Sequence, residues 1–168
     1  MSITKILTTL EHLEKIHKSL LSLAYDKAEL IKNSDMEALD ELLKGEQAHL
    51  AGIIQIEAQR QKAVTDYLTD QGRSISNGPT LTEVMSAAPE EERKSLEEAK
   101  DRLLHAIHAL KQQNELNQQM TYQSLQFVNL SLDMIRPRPE SVNYSKNEVQ
   151  GQSQPGAKPK LSSFDSQA

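Results

Sequence analysis

The chain has 168 residues, of which 37% are hydrophobic and only 4% aromatic, with no Trp; a β-sandwich or doubly wound α/β core needs more β-branched and aromatic bulk than this. A net charge of -5 excludes the basic field of a general nucleic-acid binder. The absence of Cys excludes a disulfide framework, a thiolate nucleophile and a zinc–thiolate site.

Apolar residues recur at three- and four-residue steps from the start: Ile3, Ile6, Leu7, Leu10, Leu13, then Leu20, Leu21 and Ala24. This is helical periodicity close to a heptad. Ser2 reads as the N-cap, and the helix ends near Lys32. Asn33-Ser34-Asp35 is turn chemistry, and Ser34 followed by Glu37 has capping-box spacing. A second helix starts near Met36, with a stripe through Leu39, Leu42, Leu43, Glu46, Leu50, Ile53, Ile54, Glu57, Val64 and Tyr67. Gly45 and Gly52 inside it predict close helix approach or mild bending. The link of two or three residues demands a tight antiparallel αα-hairpin. After the loop Gly72–Pro79, a short helical turn spans Leu81–Ala88. Pro89 then opens a third helix, with Glu90, Glu91 and Glu92 in its first turn. That helix runs to about Ile135, where Arg136-Pro137-Arg138-Pro139 stops it. The fold class is therefore all-α: a long hairpin packed with a longer third helix over residues 1–135. Residues 136–168, rich in Pro, Ser, Gln and Asn, read as a disordered tail.

The third helix carries the functional signal. At 100° per residue, one face collects Leu96, Ala99, Leu103, Ala106, Ile107, Leu110, Asn114, Asn117, Thr121, Leu125, Val128, Leu132 and Ile135. This face is expected to pack on the hairpin along its whole length. A second apolar face, nearly opposite, holds Leu116, Met120, Phe127, Leu130 and Met134. A helix apolar on two opposite sides must be covered on both. At roughly 45 residues, or ~70 Å, this helix also outruns the hairpin. The second face reads as a surface for another protein; packing on residues 72–88 or on a second copy of the chain are the alternatives.

Two Glu-x-x-His pairs, Glu14/His17 and Glu46/His49, have the spacing of carboxylate-bridged di-metal bundles. Such a site needs two more inward carboxylates, and the one remaining long helix has Leu and Ala at most inward positions of its first half. His105 and His108 flank the core stripe and read as solvated. No glycine-rich phosphate loop or nucleophile elbow appears. No catalytic, metal or cofactor site is therefore expected. In the tail, Val142-Asn143-Tyr144 and Leu161–Phe164 are apolar patches of the kind that dock on a partner. No apolar run approaches the ~18 residues that span a bilayer. The opening MSITKILTTLEHLEK lacks a signal peptide's core and cleavage site.

The segment Asn114-Glu115-Leu116-Asn117, leading into Leu125-Gln126-Phe127-Val128 and Leu132-Asp133-Met134-Ile135, resembles the FlgN family of flagellar export chaperones. Leu20-Leu21 with Lys27, Leu42-Leu43 with Glu46, and Ile53-Ile54 through Glu57 and Arg60 are similar to that family's first two helices. The ending Leu161-Ser162-Ser163-Phe164-Asp165 resembles a terminal signature of some members. The resemblance implies a cytoplasmic, non-enzymatic, all-helical chaperone without cofactors. Its clients would be the C-terminal segments of the hook–filament junction proteins FlgK and FlgL, bound through the C-terminal part of the chain and delivered to the type III export apparatus. It also implies a tyrosine after the third helix that contacts the export gate. Tyr144 stands in that place, although the glycine that follows it in the family stands here only at Gly151. The competing readings are a self-assembling helical scaffold, with a homodimer through the same apolar face, and a secretion chaperone with a different client.

Overall fold

The structure, a computed structural model, describes residues 3–73 and 78–136. Ser2, Tyr144 and the patches at Val142–Tyr144 and Leu161–Phe164 lie outside the described residues. The helical unit ends at Ile135. Its elements are α1 (Thr4–Asn33), α2 (Met36–Asp70), α3 (Leu81–Ala87) and α4 (Glu90–Ile135). The all-α fold class and the three long helices are as expected from the sequence.

The turn between α1 and α2 differs in detail. Ser34 does not cap α2, because it is already used to close α1. It adopts left-handed backbone (φ 55°), its N–H donates to Ile31 O at 3.2 Å, and the N–H of Asp35 donates to Leu30 O at 3.1 Å. This is the terminal wrap of a Schellman-type stop. An N-cap needs non-helical backbone and a side-chain acceptor, so the role falls one residue later: Asp35 Oδ1 accepts from the Ala38 N–H at 3.0 Å. A full capping box does occur, on α3. Glu83 N–H donates to Thr80 Oγ1, and Thr80 N–H donates to Glu83 Oε2 at 2.9 Å.

The helices pack as a ring: α1 on α2, α2 on α3, α3 on α4 and α4 on α1, and among the described residues the backbones of neither diagonal pair approach closely. That is the pattern of a four-helix bundle. The fourth corner, however, is filled by α3 alone, a stub of 7 residues, or ~10 Å. Cross-links fix the directions. Ser19 Oγ meets His49 Nε2, and Lys27 pairs with Glu46, so α2 is antiparallel to α1. Arg102 pairs with Glu14, and Asn117 Nδ2 donates to Ala24 O at 2.7 Å, so α4 runs parallel to α1.

The main core sits at the α3 end of the ring. It joins Ile3, Ile6 and Leu10 of the α1 region with Val64, Tyr67 and Leu68 of α2, Val84 of α3, and Leu96 and Ala99 of α4. Farther along, α1 and α4 stay in close contact, whereas α2 is fully buried only near its C-terminal end. The two α2 glycines have separate explanations. A Cβ on Gly52 would lie 2.8 Å from Ile16 Cδ1, so α1 approaches closely there, while a Cβ on Gly45 would meet nothing within 4 Å. Gly45→Ala is therefore expected to stabilise the protein by up to ~1 kcal/mol, the helix-propensity difference. Gly52→Ala should gain less, because Ile16 must shift. Urea denaturation of both variants measures this.

Candidate functional site

Eight buried or half-buried side chains of α4 mark a regular seam, Leu96, Ala99, Leu103, Ala106, Leu110, Gln113, Asn117 and Met120, in alternating steps of three and four, with Glu92, Lys100, Ala109 and Ser131 the other half-buried positions. This heptad seam faces α1 and averages 3.5 residues per turn. A straight wheel at 3.6 drifts from it by ~20° per heptad. Met120, assigned from the wheel to the outer apolar face, is therefore half-buried on the seam. Continued at the same spacing, the seam reaches Ser124, Phe127, Ser131 and Met134.

From Phe127 onward those positions have no α1 to meet. Asn117, bonded to Ala24 O, lies 18 residues before the end of α4, and Ala24 lies 9 before the end of α1. α4 therefore projects past α1 by about nine residues, or ~14 Å. From Thr121 to Arg136 no residue is buried. Phe127, Leu130 and Met134 are 72%, 63% and 84% exposed, and Leu116 is 53% exposed on the outer side. The expected hairpin-facing residues Leu125, Val128, Leu132 and Ile135 are exposed as well. The expectation that this face packs along its whole length fails here, because the hairpin is too short. Nor do the described residues of the 72–88 region cover the outer face, since α3 packs at the opposite end of α4; residues 74–77 lie outside the described residues.

The charge pattern changes at the same place. Residues 90–115 of α4 carry 12 charged side chains, whereas residues 116–135 carry one, Asp133. The projecting segment combines Leu, Met, Phe and Val with Gln, Asn, Ser and Thr. A surface of this chemistry gains free energy by covering apolar area, and its amides hydrogen-bond without the desolvation cost of buried charge. This charge step was readable in the sequence and marks the segment independently of any wheel.

The Glu-x-x-His pairs are otherwise engaged. His17 Nδ1 donates to Leu13 O at 2.7 Å and His49 Nδ1 donates to Gly45 O at 2.8 Å, each one turn back on its own helix. With Nδ1 carrying the proton, His49 Nε2 in the neutral ring accepts from the Ser19 hydroxyl at 2.8 Å. Glu14 pairs with Lys18 and Arg102, and Glu46 with Lys27. Glu57 pairs with Arg60. Among the described residues no three His, Asp or Glu side chains converge as metal ligands.

These ion pairs have a pH consequence. The Lys18 hydrogen bond, assisted by Arg102, holds the Glu14 carboxyl below its usual range despite partial burial. The Arg60 hydrogen bond does the same to Glu57. A folded-state pKa below the unfolded one contributes stability above the unfolded value of ~4.3, and that stability is lost as pH falls through the lower folded value. Thermal unfolding followed from pH 6 downwards should show a falling midpoint below about pH 4.3. A Glu14→Gln/Glu57→Gln variant should show a shallower fall over the same window.

Between α2 and α4 lies a second feature, which sequence reasoning missed. Beyond α3 the fourth corner is vacant, leaving an open trough floored by α1. One cleft of about 600 Å³ is lined by Leu20, Leu50, Ile107, Leu110 and Thr121, with Lys27 and Glu46 at its mouth. A neighbouring cleft of about 340 Å³, sharing His17 and Ile107 with the first, reaches from Leu103 back to Leu81 of α3. The periodicity of Ile107, Leu110 and Leu50 predicts a closed core, yet they line an open cleft. Periodicity marks an apolar face but does not say whether a neighbour covers it.

Among the described residues no helix is long and apolar enough to cross a membrane. The family model described as FlgN protein matches residues 1–150. YvyG of Bacillus subtilis (strain 168) is 33% identical over 168 residues, covering all of this chain and all of that protein. No solved structure matches. The match runs through all four helices, including the charge-poor projecting end of α4, and on it the chain belongs to the FlgN family, a family of flagellar export chaperones rather than enzymes.

Proposed function

We propose that this protein is a cytoplasmic chaperone that binds the C-terminal helical segments of FlgK and FlgL and delivers them to the flagellar type III export apparatus. The observation that carries this reading is the projection of α4 past α1 with Phe127, Leu130 and Met134 uncovered. The client's amphipathic helix takes, along this projection, the place that α1 takes lower down. It covers Phe127 and Met134 on the continued seam and Leu130 beside it, with Met120 at the margin where the seam is already half-covered and Leu116 on the outer flank below, within reach only of a client segment that continues past the projection. Helix-in-groove docking of this kind keeps the client's apolar stripe from self-association. Release at the export gate requires moderate affinity. Tyr144, outside the described residues, is the proposed gate contact.

Calorimetric titration with the C-terminal segments of FlgK and FlgL tests the reading. Saturable binding of at least one segment, with a negative heat-capacity change from buried apolar surface, is the expected result. Absence of binding to both overturns it. The second reading, self-association through the projecting segment, rests on its single charge in twenty residues, which leaves little repulsion between copies. Light scattering of the free protein decides it: a stable dimer that does not dissociate on adding either segment favours that reading over the first.

A further inference from the structure

We propose that the trough between α2 and α4 is a second docking track, which takes an amphipathic helix of the partner protein bearing acidic side chains along the flank that faces α4. This rests on the chaperone reading above and adds a site to it. Three observations identify the occupant. The ring of packing contacts is that of a four-helix bundle, and α3 already fills the fourth corner for two turns before it ends. A helix is therefore the shape that continues this corner. The trough runs from Lys100 to Thr121 on α4, about 21 residues or ~32 Å. Leu125, Val128 and Leu132 lie farther along α4 on the same side and are exposed.

Charge sets the chemistry of the flanks. Both carboxylates in the α2 wall are neutralised, Glu46 by Lys27 and Glu57 by Arg60. On the α4 wall, Lys100 and Lys111 outnumber the one carboxylate, Glu115, so the wall is net positive, and among the described residues no carboxylate pairs with either lysine. An occupant with acids along that flank complements them. A second copy's projecting segment does not, since Asp133 is its only charge.

The test uses the full chain with the FlgK and FlgL C-terminal segments. Because the protein has no Cys, a single Leu50→Cys substitution carries a photo-cross-linker into the trough, with Met134→Cys on the projection and Glu98→Cys as an exposed control. Cross-linking of the segment at both Leu50→Cys and Met134→Cys, but not at Glu98→Cys, is the expected result. In calorimetry Leu50→Glu, at a half-exposed position that tolerates the change, should weaken binding by about tenfold. The Lys100→Glu/Lys111→Glu pair should weaken it at low salt and match wild type at high salt. Cross-linking at Met134→Cys alone, with wild-type affinity for Leu50→Glu, overturns the trough while the chaperone reading stands. No cross-link at either position and no titration signal overturns both. Cross-linking of Leu50→Cys to a second copy in the absence of any segment also overturns the proposal, because the trough is then a self-association site.

Discussion

Phe127→Asp combined with Leu130→Asp is expected to reduce client affinity by at least ~100-fold, equivalent to about 3 kcal/mol, while leaving the far-ultraviolet circular dichroism spectrum close to wild type. Burying an aromatic or aliphatic side chain of this size yields ~1.5–3 kcal/mol. Replacing it with a carboxylate removes that gain and adds the cost of covering a charge. The free protein hardly notices the change, because both side chains are mostly in water. The remaining cost is a helix-propensity difference of a few tenths of a kcal/mol per site. Titration calorimetry reads the first quantity and circular dichroism the second. Wild-type affinity in the double variant would place the client elsewhere on the molecule.

Leu96→Ala should do the reverse. Leu96 is fully buried where α4 meets Ile6 and Leu10 of α1, Leu68 of α2 and Val84 of α3. A large-to-small change at such a site costs ~2–5 kcal/mol, with the loss set by how well the neighbours collapse. In a domain of this size, that lowers the thermal midpoint on the order of 10 °C. Leu96 lies 31 residues, or ~47 Å along the helix, from Phe127. Client affinity measured well below the midpoint should therefore be unchanged. A midpoint shift of only a degree or two would mean that the α3 end is not where the bundle draws its stability.

The two predictions mark out what the sequence made legible. The helices, their boundaries and the excess length of α4 followed from spacing, Pro positions and rise per residue. Phe127 and Leu130 stood out because apolar side chains on two sides of one helix demand two neighbours. Met120 was misplaced for a geometric reason: a wheel assumes a straight helix, while the α1–α4 seam keeps a heptad, and the two diverge by roughly 100° between Leu96 and Met134. Ser34 was misread because capping-box spacing ignores whether the candidate is already engaged in ending the preceding helix. The trough escaped because Leu50, Ile107 and Leu110 have the periodicity of core residues. What uncovers them is the brevity of α3, whose position in the ring is set by tertiary packing and leaves no trace in local spacing.

Asn117 has a role that extends beyond its own hydrogen bonds. Its amide, buried on the seam, donates to Ala24 O and accepts from Gln113 Nε2 at 3.1 Å. A purely apolar seam discriminates weakly between alignments one notch apart; a single sequestered amide that finds its carbonyl in one alignment singles that alignment out. Each notch of one turn would shift the free end by ~5.4 Å. One asparagine thus acts as the gauge that meters how much of the rod is offered to a visiting chain.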